Sequence, residues 1–310
     1  MDEAEFLFTE ILNCNRMSLF LDRESPLDKD KSALIASVLK RRIKGEPIQY
    51  ILGKTEFLGL EFKVNKDVFI PRPETEILVE KTLEVVREFL SSPVPELNIL
   101  DMGTGSGCVA ISLAKFLFNV KMTATDISDR ALEVAKYNAK LNNVADIIKF
   151  IHCDLFTPLE TIGGRQKDRV SLTGFTDYRL PITDYDIIIS NPPYIPTGEI
   201  KELQQEIKYE PRIALDGGRD GLDFYRRIVA GAPNYLNKRG FLIMEMGFGQ
   251  RASIENIFQK SEIFEIIKIV KDYNNIERVI VSKKIPNPNN TKSQLNPNDQ
   301  IPIGHWRIGN

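Results

Sequence analysis

The chain has 310 residues, of which 42% are apolar and 27% charged, with a formal net charge of −2 and a pI near 5.9. That length allows one large domain and a small one, and the lack of a basic surplus argues against an enzyme that grips nucleic acid through its phosphates. Cys14, Cys108 and Cys153 lack Cys-x-x-Cys spacing, and His152 and His305 lie far apart, so neither a disulfide framework nor a metal site is expected, and a reducing cytoplasm fits. No stretch resembles a secretory signal, and no apolar run is long enough to cross a bilayer.

Residues 1–54 read as helical, with apolar residues at three- and four-residue spacing over 4–12 and 33–39 and a break at Ser25-Pro26. Lys40-Arg41-Arg42-Ile43-Lys44 reads as a solvated helix end, with a contact surface for a protein partner as the alternative. Residues 55–73 predict a short β-hairpin linker. From Glu74 to about Ile285 strands and helices alternate, the pattern of an α/β domain with a mainly parallel sheet. Strands are expected over 97–101, 121–125, 147–151, 185–190, 240–246, 264–270 and 277–282, the last two forming an antiparallel hairpin. Residues 157–184 predict a mobile insertion, with a substrate clamp as the alternative, and residues 286–310, rich in Pro and Asn, a disordered tail, with a partner-binding tail as the alternative.

Two motifs carry the chemistry. In Asp101-Met102-Gly103-Thr104-Gly105-Ser106-Gly107-Cys108 a strand enters a Gly-rich turn that opens a helix. The glycines permit tight backbone and close approach of a ligand, but Gly-x-Gly-x-Gly only half meets the dinucleotide fingerprint. Asp101 has no use beside an anionic pyrophosphate and suits a cationic ligand. Asp126, nineteen residues beyond Gly107 at the end of the next strand, suits ribose hydroxyls. Cys108 reads as a packing residue beneath the loop. Further on, Ser190-Asn191-Pro192-Pro193-Tyr194 stops an apolar strand with two prolines. An amide side chain, free backbone carbonyls and an aromatic face at a strand's carboxyl end suit an amine or amide nitrogen. Together the motifs read as a nucleoside-sulfonium site with a nitrogen acceptor nearby. Competing readings are a DNA or RNA amino-methyltransferase, which shares Asn-Pro-Pro-Tyr but predicts a basic face, and a non-catalytic nucleotide-binding protein.

The chain resembles the release factor glutamine methyltransferases over residues 4 to 282. The matching stretches are Gly45-Glu46-Pro47-Ile48-Gln49-Tyr50-Ile51-Leu52-Gly53, Phe69-Ile70-Pro71-Arg72-Pro73-Glu74-Thr75-Glu76, the two motifs above, Tyr209-Glu210-Pro211 and Gly217-Gly218-Arg219-Asp220-Gly221-Leu222. The resemblance implies a seven-stranded, mainly parallel Rossmann-like methyltransferase sheet with a small N-terminal helical domain that grips the release factor. It implies S-adenosylmethionine as cofactor, held by Gly103, Thr104, Gly105, Ser106, Gly107, Asp126, Asp154, Leu155 and Asn191. Leu155 stands where the family often has an aromatic, with Phe156 expected to compensate. Asn191, Pro192, Pro193 and Tyr194 are implied to bind the substrate glutamine amide. Asn191, Pro192 and Tyr194 are the catalytic set, and Phe69, Pro71, Arg72 and Glu76 the pocket wall, with an interdomain ion pair as a second role for Arg72 and Glu76. A monomeric enzyme is expected. Family members usually carry about one more helix upstream, so either a reduced grip or a misplaced start of the sequence is expected here. The related ribosomal-protein glutamine methyltransferases usually differ at Pro-Arg-Pro-Glu-Thr-Glu.

Overall fold

The computed structural model describes residues 3–21, 26–90, 96–158 and 185–286. Almost all of the expected insertion and tail lies outside these residues. Four helices come first: α1 Glu3–Leu12, α2 Arg16–Leu21, α3 Lys29–Ile43 and α4 Ile48–Leu52. Asp28 caps α3 by accepting from the Lys31 amide at 2.7 Å, and Lys40, Arg41 and Arg42 sit in its last turn, where cations complement the dipole. The basic run is nevertheless mostly engaged. Arg41 pairs with Glu46, and Arg42 bridges Glu3 of α1 and Glu206 far along the chain.

A two-stranded hairpin follows, β1 Lys54–Phe57 and β2 Leu60–Lys63, with Leu58 and Gly59 at positive φ in its two-residue turn. Helix α5, Pro73–Phe89, starts with proline in its first turn and carries Glu74 and Glu76 there, both favoured at a helix start. Thereafter come β3 Leu97–Met102, α6 Cys108–Phe116, β4 Val120–Asp126, α7 Asp129–Leu141, β5 Ile148–Asp154, β6 Thr157–Pro158, β7 Tyr185–Ser190, α8 Asp223–Gly231, β8 Leu236–Glu245, α9 Arg251–Ser261, β9 Phe264–Lys271 and β10 Glu277–Lys284.

The sheet order is β6-β5-β4-β3-β7-β8-β10-β9. β5, β4, β3, β7 and β8 run parallel, and β10 lies antiparallel between β8 and β9. These seven strands are the expected mainly parallel set, and the two-residue β6 adds an unforeseen antiparallel edge to β5. Alternation builds two cores. Ile99, Ile187, Ile189, Phe241 and Ile243 face α5 and α6, whereas Leu100, Ile188, Leu242 and Met244 face α8 and α9. Each such fully buried side chain contributes about 1.5–3 kcal/mol. The chain leaves β3 toward β4 on one side and returns to β7 on the other. That switch point opens a crevice at the strands' carboxyl ends.

The hairpin is fastened to the sheet by α7. Asn138 accepts from the Lys63 amide at 2.8 Å and donates to the Lys63 and Ser106 carbonyls, and Asn142 donates to the Glu61 carbonyl. Tyr50 of α4 donates to the Val68 carbonyl at 2.6 Å, and Tyr50, Val64, Val68 and Ile70 pack with Ala131 and Val134. The segment before α5 is thereby held over the crevice. Among the described residues no helix is long and apolar enough to cross a membrane.

Candidate active site

A cavity of about 400 Å3 lies at the switch point, within the range of small-ligand sites. The ends of β3, β4, β5, β7 and β8 form its floor through Asp101, Asp126, Asp154, Asn191 and Glu245. Gly103, Thr104, Gly105 and Ser106 line it, as do Leu155, Pro192, Pro193, Tyr194, Phe69, Pro71 and Arg72. The two motifs, 82 or more residues apart in sequence, therefore share one space. Gly107 shapes the loop from behind: at φ +84°, any Cβ there would come within 2.8 Å of Ile111 Cδ1.

Asp101 is 2% exposed. The Thr104 hydroxyl donates to its carboxyl at 2.6 Å. Burial pushes its pKa up to about 7 against that hydrogen bond, and the neighbouring charge of Asp126 pushes the same way. Asp126 accepts from the Gly105 amide at 2.8 Å and the Ser128 amide at 2.9 Å, and burial raises its pKa as well. A buried acid and a half-buried one, the charge of Asp126 disfavouring that of Asp101, form a place where a cation gains. Burial lifts the Cys108 thiol to about 12, so it is a packing residue. Asp154 is paired with Arg227 at 2.8 Å, and the Arg227 guanidinium lies over the Phe224 ring, which lines the cavity beside Leu155.

The Asn-Pro-Pro-Tyr turn is clamped by segments distant in sequence. Ile195 donates to the Leu215 carbonyl and accepts from the Gly217 amide, and Gln250 donates to the Tyr194 carbonyl at 2.9 Å. Gly221, at φ +74°, lies so close that a Cβ there would sit 2.3 Å from the Tyr194 oxygen. The Gly-Gly-Arg-Asp-Gly stretch is thus the backing of the turn. Asn191 Nδ2 donates to Thr75 Oγ1 of α5 at 3.1 Å. Burial pushes the Tyr194 hydroxyl well above its ordinary pKa, so it stays protonated.

Three expectations need correction. Glu76 is not among the cavity residues: its carboxylate accepts from the Leu58 amide at 2.8 Å, pinning the hairpin turn. Arg72 pairs with buried Glu210, not with Glu76, and Glu210 also accepts from the Ile70 amide, so Tyr-Glu-Pro clamps the Pro-Arg-Pro segment. Phe156 is not at the cavity either. It stacks on Tyr235 at 4.8 Å, because β6 turns it toward the α8 side of the sheet. Phe224 supplies the aromatic face instead, and nothing in its local sequence marked it. Glu245 lines the cavity too, and its signal in the sequence is a lone acid in the apolar stretch 241–246 at a strand's carboxyl end.

Comparison with known proteins agrees with this geometry. The model of the PrmC N-terminal domain matches residues 1–53, and that of the methyltransferase small domain matches residues 76–163. A release factor glutamine methyltransferase of Geobacter sulfurreducens is 38% identical over 279 residues, 90% of this chain and 87% of that protein. One of Thermodesulfovibrio yellowstonii is 38% identical over 283 residues, 91% of this chain and 92% of that protein. Among solved structures, the hMettl16 catalytic domain aligns with a TM-score of 0.50 at 14% identity, covering 83% of this chain and 93% of that one, a likeness of fold alone. With 38% identity over about nine-tenths of the chain and most of each relative, the chain belongs to the release factor glutamine methyltransferase family.

Proposed function

We propose that the protein transfers a methyl group from S-adenosylmethionine to the side-chain amide nitrogen of a glutamine, that of the Gly-Gly-Gln motif of peptide chain release factors. The observation that carries this reading is the meeting, in one cavity, of the Asp101 and Asp126 carboxyls at the Gly-rich loop with the Asn-Pro-Pro-Tyr turn. The cofactor supplies an electrophilic methyl on a sulfonium centre. Asp101 and Asp126 fit that cation, and Asp126 retains acceptor capacity for ribose hydroxyls beyond its two backbone contacts. Leu155 and Phe224 offer apolar faces to a base, beside the Asp154–Arg227 pair.

An amide nitrogen is a poor nucleophile, because its lone pair is delocalised into the carbonyl. The chain's contribution is to hold that nitrogen in line, with reacting atoms about 3–3.5 Å apart. Asn191 Nδ2 is engaged by Thr75, which leaves Oδ1 as an acceptor for one substrate N–H; the Pro192 carbonyl takes the other. Tyr194 packs on the amide plane. Acceptors aimed at a nitrogen that turns positive stabilise the transition state without reorganising. The proton leaves to water after transfer.

The helices α1–α4 are the proposed grip for the folded substrate. Arg42, reaching from α3 to Glu206, and the Lys44 carbonyl, accepting from Gln205 and Tyr209, join them to the segment that lines one side of the cavity through Ile207, Pro211 and Ile213. Binding energy gathered there is remote from the chemistry and serves positioning. Incubation with labelled cofactor and, separately, folded release factors, ribosomal proteins and RNA tests the reading. Label is expected in release factors; label only in RNA would overturn it.

A further inference from the structure

The two ends of an asparagine amide have the same shape and opposite chemistry. The proposed mechanism needs Oδ1, not Nδ2, toward the substrate nitrogen. Thr75 cannot decide this alone, because a hydroxyl accepts from Nδ2 as readily as it donates to Oδ1. We infer that Glu245 is the positioning residue that fixes the Asn191 amide: its carboxylate accepts only, so Thr75 and the Asn191 amide group turn their donors inward and Oδ1 faces the cavity. This inference rests on the proposed amide-nitrogen acceptor.

Three observations carry it. Glu245 ends β8 one position beyond the Ser190–Met244 pair, as Asn191 is the residue just past the end of the neighbouring parallel strand β7, and it is 2% exposed. The Thr75 hydroxyl and the Asn191 amide both favour its ionised form, while Asn191 Nδ2 donates to Thr75. Among the described residues its Oε2 is buried without a hydrogen-bond partner. A buried carboxyl left half unpaired costs stability, so packing does not account for its presence at this strand end.

The surrounding charges set a pH dependence. Glu74 and Thr75 from α5, Asn191 and Tyr194 from the turn, Cys108 from α6, Tyr225 from α8 and Arg278 from β10 surround Glu245. Burial raises its pKa to about 7, opposed by Thr75 and Arg278 and reinforced by Glu74. Once protonated, Glu245 can donate to Thr75. The Thr75 hydroxyl is then free to donate to Oδ1, and the amide presents Nδ2 to a substrate that needs an acceptor. Activity held by this device is present above about pH 7 and lost below it.

The test is the full-length Glu245→Gln enzyme, which keeps shape and loses the acceptor-only character. At saturating substrates, kcat above neutral pH is expected to fall at least about tenfold, with KM for S-adenosylmethionine within about twofold. The acid limb near pH 7 should disappear. Thr75→Val should fall likewise, and Thr75→Ser should recover most of that loss; this pair decides the question if Glu245→Gln does not fold. In 15N-labelled protein the Asn191 side-chain amide, assigned by its loss in Asn191→Asp, should be protected from solvent exchange above neutral pH and exposed in Glu245→Gln. Wild-type kcat with an unchanged pH profile in Glu245→Gln, or equal loss in Thr75→Ser and Thr75→Val, would overturn the inference. A wild-type enzyme that shows the amide protection but methylates no release factor would instead sink the proposed function and leave the positioning device standing.

Discussion

Replacing Gly221 by alanine tests how the Asn-Pro-Pro-Tyr turn is held. Gly221 and Gly249 have nearly the same backbone, at φ +74° and +75°, so alanine at either costs about 1–2 kcal/mol for the left-handed conformation. They differ in what a methyl group would meet. At 249 nothing lies within 4 Å, whereas at 221 the Tyr194 carbonyl oxygen lies at 2.3 Å and Gln250 Nε2 at 2.7 Å. That overlap adds about 1–3 kcal/mol at 221 alone. Gly221→Ala should therefore unfold at lower urea than Gly249→Ala by this difference. Its strain falls on Tyr194, so methyl transfer should drop while cofactor affinity, proposed to rest on the Gly-rich loop across the cavity, stays nearly constant. Urea denaturation monitored by circular dichroism, with calorimetry for cofactor binding, reads both effects. Equal unfolding midpoints for the two variants, with full activity in Gly221→Ala, would show that the stretch does not brace the turn.

Three further predictions concern the cofactor side of the cavity. Asp126→Ala should weaken S-adenosylmethionine binding by about 1.5–3 kcal/mol, as for hydrogen bonds to a charged group, and unchanged affinity by calorimetry would remove Asp126 from the site. Because burial raises Asp101 to about 7, its contribution to the stability of the cofactor-free protein is complete below the ordinary carboxylate pKa and is lost as pH rises toward 7. Ion-paired carboxyls such as Glu84 act in the opposite direction, so the test is the difference: in thermal melts the stability of wild type relative to Asp101→Asn should fall as pH rises over that window, and parallel curves would refute the assignment. Phe224→Ala should reduce cofactor affinity by about 0.5–1.5 kcal/mol, whereas Phe156→Ala, which breaks the stack on Tyr235, should lower stability and leave affinity alone. The reverse pattern would return Phe156 to the cavity.

The parallel sheet was legible because its strands are continuous apolar runs bounded by Gly, Pro and charge. Ile187, Ile188 and Ile189 are fully buried, facing both cores. β8 begins earlier than expected, at Leu236, because Asn237, Lys238 and Arg239 are polar edge positions whose pairing depends on neighbours. The short helices α2 and α4 are too brief for periodicity to mark: α4 is held by its buried Tyr50, whereas α2 buries no residue and is held by the Asn15 side chain accepting from the Ser18 amide and by the Arg16–Glu5 pair. At the cavity, the residues whose backbone does the work, Gly103, Gly105, Pro192 and Pro193, are written in local sequence. The residues that act across the fold are not. Glu210 reaching Arg72 over 138 residues, Thr75 reaching Asn191 over 116, and Phe224 at the cavity wall are set by tertiary geometry that no local pattern encodes.

The most direct measurement is fragmentation mass spectrometry of a folded release factor after incubation with S-adenosylmethionine and either wild-type enzyme or Asn191→Ala. The strand-end amide clamp predicts the mass of one methyl group on the side-chain nitrogen of the Gly-Gly-Gln glutamine with wild type, and at least about tenfold less with Asn191→Ala. Methylation at any other residue, or wild-type turnover by Asn191→Ala, would contradict it.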